Sequence, residues 1–236
     1  MRCTLLAAAV LLACQARAAA QAEFPQNDET LVYSVNWPSG LSLGEAQFQA
    51  KKVKAADGVQ DRWDLRLTLD ASVPGFSVAD RYRSLATAEF CSLEFEKDTT
   101  RSQRVSGELV TFNQQAATAT RETKRGGGKS EMQVPPCAKD ALAFLFFVRR
   151  ELMQGRLPPA QTIFMGGPYQ IRLEYGGRQE LRVGAEQVKT DRITASVKGK
   201  ASDITFEIFL SQDPARRLVL ARVPLPFGVF SMELVP

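Results

Sequence analysis

The chain contains no histidine. That absence removes Ser-His-Asp and Cys-His catalysis. It also removes the usual zinc sets, which lean on histidine or on more cysteines than the two that remain beyond the leader described next, and no metal site is expected. Neither sign of charge dominates: 30 Lys and Arg stand against 26 Asp and Glu. A nucleic-acid partner would require basic residues clustered on one face, so none is expected. No apolar run approaches the roughly 20 residues that a bilayer-crossing helix needs, so no transmembrane span is expected beyond the leader described next.

What the chain has first is a leader. Met1-Arg2 is a short positive start, Thr4 to Ala13 is apolar, and Ala-x-Ala patterns follow at Ala16–Ala18, Ala18–Ala20 and Ala20–Ala22. This pattern predicts a signal peptide over residues 1–22 and one exported β-rich domain over 23–236. Leu11-Leu12-Ala13-Cys14 also fits a lipobox, in which Cys14 would be lipidated. The product is then periplasmic or secreted, either free or tethered to a membrane through Cys14. With Cys3 and Cys14 in the leader, Cys91 and Cys137 remain. In an exported chain they are either one disulfide or two separate buried thiols. A bond closing a loop of about 45 residues would stabilise by about 4 kcal/mol in the chain-entropy account.

The rest alternates like strand. Leu31, Tyr33, Val35 and Trp37 share one side of a first strand, and Trp63, Leu65, Leu67 and Leu69 one side of another. Gly44 marks a bulge or a close backbone approach. Turns are expected at Pro38–Gly40, Asp57–Gly58, Pro74–Gly75, Gly126–Gly128, Gly166–Pro168, Gly176–Gly177, Asp213–Pro214 and Pro224–Gly228. The three glycines at 126–128 lack the strand, helix and Lys-Ser/Thr context of a phosphate loop, so no cofactor is expected there or elsewhere. Ala138–Met153 is the one long helical stretch, apolar on every side from Ala141 to Val148. Such a helix, too short for a membrane, must be buried. Asp140 caps its start and Gly155 with Pro158-Pro159 ends it. The fold class is therefore mainly β: an antiparallel, barrel-like or strongly curved sheet wrapped around one central helix.

The residues around the helix, the opening Leu31-Val32-Tyr33 with Gly44, the run Phe209-Leu210-Ser211-Gln212-Asp213-Pro214, and Pro226-Phe227-Gly228 resemble an exported bacterial family known as domain of unknown function 3108. The resemblance covers most of the chain after the leader. It implies a β-rich, barrel-like envelope protein and brings no activity, substrate or catalytic residue with it.

Two function classes follow. The first is a non-catalytic binding or scaffolding module of the cell envelope, its partner a lipid or other hydrophobic ligand or an envelope protein. Phe144, Phe146 and Phe147 would line or plug the cavity, or else fill the core. Arg149 and Arg150 would meet anionic head groups or form a solvated helix end. Tyr82, flanked by Arg81 and Arg83, faces inward by strict alternation, with the two arginines outward. The second class is an envelope hydrolase using paired carboxylates, Asp140 and Asp213, without metal or histidine. No G-x-S-x-G elbow and no S-x-x-K in a helical context occurs, so no nucleophilic residue is singled out.

Overall fold

The computed structural model describes residue 24 and residues 28–54, 61–200, 203–226 and 228–236. The expected leader, Cys14 and the Asp57–Gly58 turn lie outside these residues. The first half of the chain forms β1 (Glu29–Asn36), β2 (Ser42–Lys54), β3 (Asp61–Val73), β4 (Phe76–Thr87), β5 (Ser92–Arg101), β6 (Arg104–Asn113), β7 (Thr118–Thr123) and β8 (Lys129–Gln133). A two-residue β9 (Lys139–Asp140) leads into α1 (Ala141–Met153). The second half forms β10 (Gln161–Phe164), β11 (Pro168–Val183), β12 (Glu186–Lys198), β13 (Asp203–Ser211), β14 (Leu218–Leu225) and β15 (Gly228–Leu234).

Among the described residues all fifteen strands belong to one sheet, ordered β8-β7-β6-β5-β4-β3-β2-β1-β15-β14-β13-β12-β11-β10-β9. Each half is a meander of neighbouring antiparallel strands, and β1 joins the halves by pairing with β15. The one parallel pair is β9 with β10. No hydrogen-bonded ladder closes the sheet, because β8 and β9 are its two ends. The sheet nevertheless curls until distant strands touch. Phe112 of β6 meets Phe164 of β10 edge to face at 5.8 Å. The Ser92 N–H of β5 donates to the Ala138 carbonyl at 2.9 Å.

Register fixes which residues face inward. Tyr33 pairs with Ala46, Ala46 with Leu69, and Leu69 with Asp80, so one face runs continuously across β1 to β4. The helix lies on that face, since Ser84 beside Leu65 hydrogen-bonds Asp140 at the helix start. Gly44 is required where β2 crosses β3: a Cβ there would lie 2.0 Å from the Asp70 carbonyl. The expected turn at Gly176–Gly177 does not form. β11 runs straight through it, and the two glycines make a bulge opposite β12, with the Gly176 carbonyl held by the Arg192 guanidinium at 2.9 Å. A bulge absorbs the extra residues that a glycine pair otherwise signals as a turn.

Helix α1 sits at one end of the sheet. It packs on β3, β4, β9 and β10. Phe90 in the β4–β5 turn packs against Phe146 with the rings tilted, and carbonyls 215 and 216 in the β13–β14 turn receive Arg149. Asp140 caps α1 as its residue type predicts, accepting from the Leu142 and Ala143 amides at 2.8 and 3.0 Å. The Cys91–Cys137 disulfide forms, with Cα atoms 4.6 Å apart, and ties the segment before α1 to the start of β5.

Candidate ligand site on the helix-bearing face

The three phenylalanines occupy different places. Phe146 is fully buried and Phe144 nearly so, while Phe147 is half-buried beside Phe144. Arg149 is not a solvated helix end: it is 2% exposed. Its guanidinium is held by both carboxylate oxygens of Glu29 and by carbonyls 215 and 216, and it lies 4.5 Å over the Phe146 ring. Only a partner from β1, far away in sequence, makes that burial affordable. Arg150 is half-buried and reaches the carbonyls of Ala88 and Glu89.

Asp140 is fully buried, and besides its two amide donors it accepts from the Ser84 and Ser92 hydroxyls at 2.5 and 2.6 Å. Burial pushes its carboxyl up, against the lowering effect of those four donors. Asp213 caps the β13–β14 turn through the amides of Ala215 and Arg216 and pairs with Arg217, which holds its carboxyl down against burial. The two acids share no partner. Asp140 opens the helix, and Asp213 belongs to the loop that receives Arg149, about two and a half helical turns further along.

Beside Asp140, Lys139 is 6% exposed. Its ammonium donates to the Cys137 carbonyl at 3.0 Å and lies 4.4 Å over the Phe147 ring. Burial, then the Arg150 charge, lower its pKa to about 8. The unfolded chain keeps this proton to about 10.5. Between those values the unfolded state therefore binds more protons, and the native state gains stability at this residue as pH rises. Lys139→Met should stabilise the protein at pH 7 by up to about 3 kcal/mol, and the advantage should fade towards pH 10.5. Urea unfolding of parent and variant across that range checks both the sign and the window.

The helix leaves the far half of its sheet face uncovered, and there the chemistry changes. Tyr82 does face inward, opposite Leu67, while Arg81 and Arg83 on the other face pair with Asp70 and with Asp64 and Glu94. Strict alternation puts Asp80 on the face of Tyr82. Asp80 is 2% exposed. Its Oδ2 accepts from the Tyr82 hydroxyl at 3.0 Å and the Arg101 guanidinium at 3.3 Å, and its Oδ1 has no partner among the described residues. Burial and then the Asp80 carboxylate push the Tyr82 phenol up, which keeps it a donor.

Cross-strand register continues this polar wall. Tyr82 pairs with Lys97, Lys97 with Glu108, and the Glu108 carboxylate takes the Arg121 guanidinium at 2.5 Å. Lys97 has no ion pair among the described residues, and the buried Arg121 Nε has no acceptor. The β10–β11 turn closes over the wall, since a Cβ on Gly166 would lie 2.1 Å from Glu108 Oε2. At the β3–β4 and β5–β6 tips a shallow groove of 510 Å³ is lined by Phe76 and residues Arg101 to Arg104. Elsewhere on the uncovered inner face stand half-buried Val35, Leu67, Leu69, Phe206 and Met232. Of the polar wall, sequence reasoning found only Tyr82. Asp80 was within reach of the same alternation, two residues away, whereas Lys97, Glu108 and Arg121 depend on cross-strand register.

The model of the family described as protein of unknown function (DUF3108) matches residues 32–235. The chain belongs to this family. No curated protein matches the chain. Among solved structures, the β-barrel-like protein of domain of unknown function DUF1849 from Brucella abortus is similar over 89% of this chain and 96% of that one, with TM-score 0.62 at 7% identity. At that identity the likeness shows the fold alone: a barrel-like, mainly β architecture. A provisionally named lipoprotein from Parabacteroides distasonis aligns over 91% of this chain and 97% of its own at 9% identity. Its TM-score of 0.35 is too low to carry an argument. Among the described residues no helix is long and apolar enough to cross a membrane.

Proposed function

We propose that this DUF3108 member is an exported, single-domain binding module of the cell envelope that holds a hydrophobic, lipid-like ligand inside its curled sheet. In this reading α1 plugs one end of the curl, with Phe144 and Phe146 as the plug and Phe147 at its margin. The uncovered inner face receives the apolar body of the ligand. One observation carries the reading: on that face a polar wall with unused capacity stands beside half-buried apolar side chains. Asp80 Oδ1 and Arg121 Nε are buried there without a partner among the described residues, and half-buried Lys97 makes no ion pair among them. Buried polar groups lacking partners are rare in a finished core and are common where a ligand completes the set. The excess of cationic groups on this wall favours an anionic head. The disulfide supports an oxidising compartment, as export requires.

Native mass spectrometry of protein purified from its own envelope should show a lipid-sized adduct. Purified protein should bind cis-parinaric acid saturably. Lys97→Gln should weaken that binding about tenfold, the worth of one charge-assisted contact, without shifting the thermal midpoint. Absence of both adduct and saturable binding would remove the reading.

A further inference from the structure

Away from the helix, the opposite end of the sheet has its own character. In an antiparallel meander every second hairpin turns at the same end, so the β1–β2, β3–β4, β5–β6 and β14–β15 tips lie together. The strand order makes these four tips consecutive along the rim, about 10 Å apart. Five of the large apolar side chains that the protein exposes sit on them: Leu41, Phe76, Val105, Leu225 and Val229, between 44% and 66% exposed. Single exposed apolar residues mean little, but a row of them on adjacent tips is a surface with a use.

Cations border that row on both sides. The β7–β8 hairpin carries Arg125 and Lys129, the β12–β13 hairpin Lys198 and Lys200, and the β5–β6 hairpin contributes Arg104. None of these five makes an ion pair among the described residues. Glu122 and Asp203 stand across the ladder from Lys129 and Lys198. Two more cations at this end, Lys124 and Arg101, are engaged with Glu96, Asp98 and Asp80. The helix end differs: of the exposed large apolar residues among the described residues, only Val235 lies there.

We infer that this rim docks on an anionic lipid bilayer, the four apolar tips entering the head-group boundary while the flanking lysines and arginines meet lipid phosphates. Apolar insertion ringed by basic residues is the pattern of peripheral membrane attachment. A protein partner would have to match apolar tips and basic flanks strung along a curved rim, whereas a bilayer accommodates both without specific shape. Docking there presents the groove beside Phe76 and Arg101 to the membrane. The rim has this character whether or not the interior holds a ligand.

The test is vesicle flotation of the exported protein carrying Cys14→Ser, so that no acyl chain anchors it. It should float with phosphatidylglycerol–phosphatidylcholine vesicles, release with salt, and stay behind with phosphatidylcholine alone. Leu41→Ser with Leu225→Ser, and separately Lys129→Glu with Lys200→Glu, should each weaken binding about tenfold or more, with unchanged thermal midpoints and unchanged parinaric acid binding. Equal flotation with neutral vesicles, no flotation, or indifference to the tip variants would overturn docking. Self-association that the tip variants abolish, without vesicle binding, would overturn it in favour of a copy-to-copy contact.

Discussion

Arg149→Ala should destabilise the protein by about 3–5 kcal/mol in urea unfolding, the cost of leaving a buried charge without its partner. The guanidinium is 2% exposed, and its partner Glu29 is 15% exposed. Arg149 bridges three elements: α1, the start of β1 through Glu29, and the β13–β14 turn through carbonyls 215 and 216. Its removal strands the Glu29 carboxylate and two carbonyls together. Glu29→Gln with Arg149→Met should recover most of the loss, because a neutral pair carries no desolvation debt. The two sites are in direct contact, so the single-variant losses should not add. A loss below about 1 kcal/mol in Arg149→Ala would show the pair to behave as an exposed one.

The other large effect is expected at Phe146. Its ring is fully buried, 6.1 Å from Phe90, which in turn stacks 6.4 Å from Trp63. Phe146→Ala should cost about 3–5 kcal/mol through lost burial and the cavity left behind. Phe146→Leu, which keeps most of the volume, should cost less than about 2 kcal/mol. Thermal and urea unfolding of both variants separate a core residue from a pocket wall. If Phe146→Ala kept its stability and lost parinaric acid binding, the plug in the proposed function would be a ligand surface instead. Because Phe146 also carries the Arg149 guanidinium on its face, the two losses should overlap when combined.

Both effects rest on α1, whose existence was legible in the chain. Asp140 at the start and Gly155 with two prolines at the end delimit it, and its all-round apolarity marks it as buried. What it would touch was not legible. Arg149 reads as a helix-end cation because position along the helix is all that local sequence reveals. Its actual partner stands 120 residues away. Tyr82 shows the same division on a smaller scale. Its inward direction follows from alternation, yet its neighbours Lys97, Glu108 and Arg121 follow from the register of three successive hairpins.

By itself the sequence determined the local facts: strands from alternation, most turns from glycine and proline, the capped helix, the membership carried by its packing motifs, and the cysteine pair available for a disulfide. These depend on residues within a few positions of each other, where backbone preferences and periodicity act. Only the tertiary structure decided that Gly176–Gly177 is a bulge rather than a turn. It also decided that β1 and β15 join the two meanders, that β5 and β6 come to touch the β9–β10 end of the sheet, and that a polar wall stands beside the uncovered apolar face. Those outcomes depend on which strand lies next to which, and no local pattern encodes a neighbour that the chain reaches only after folding back on itself.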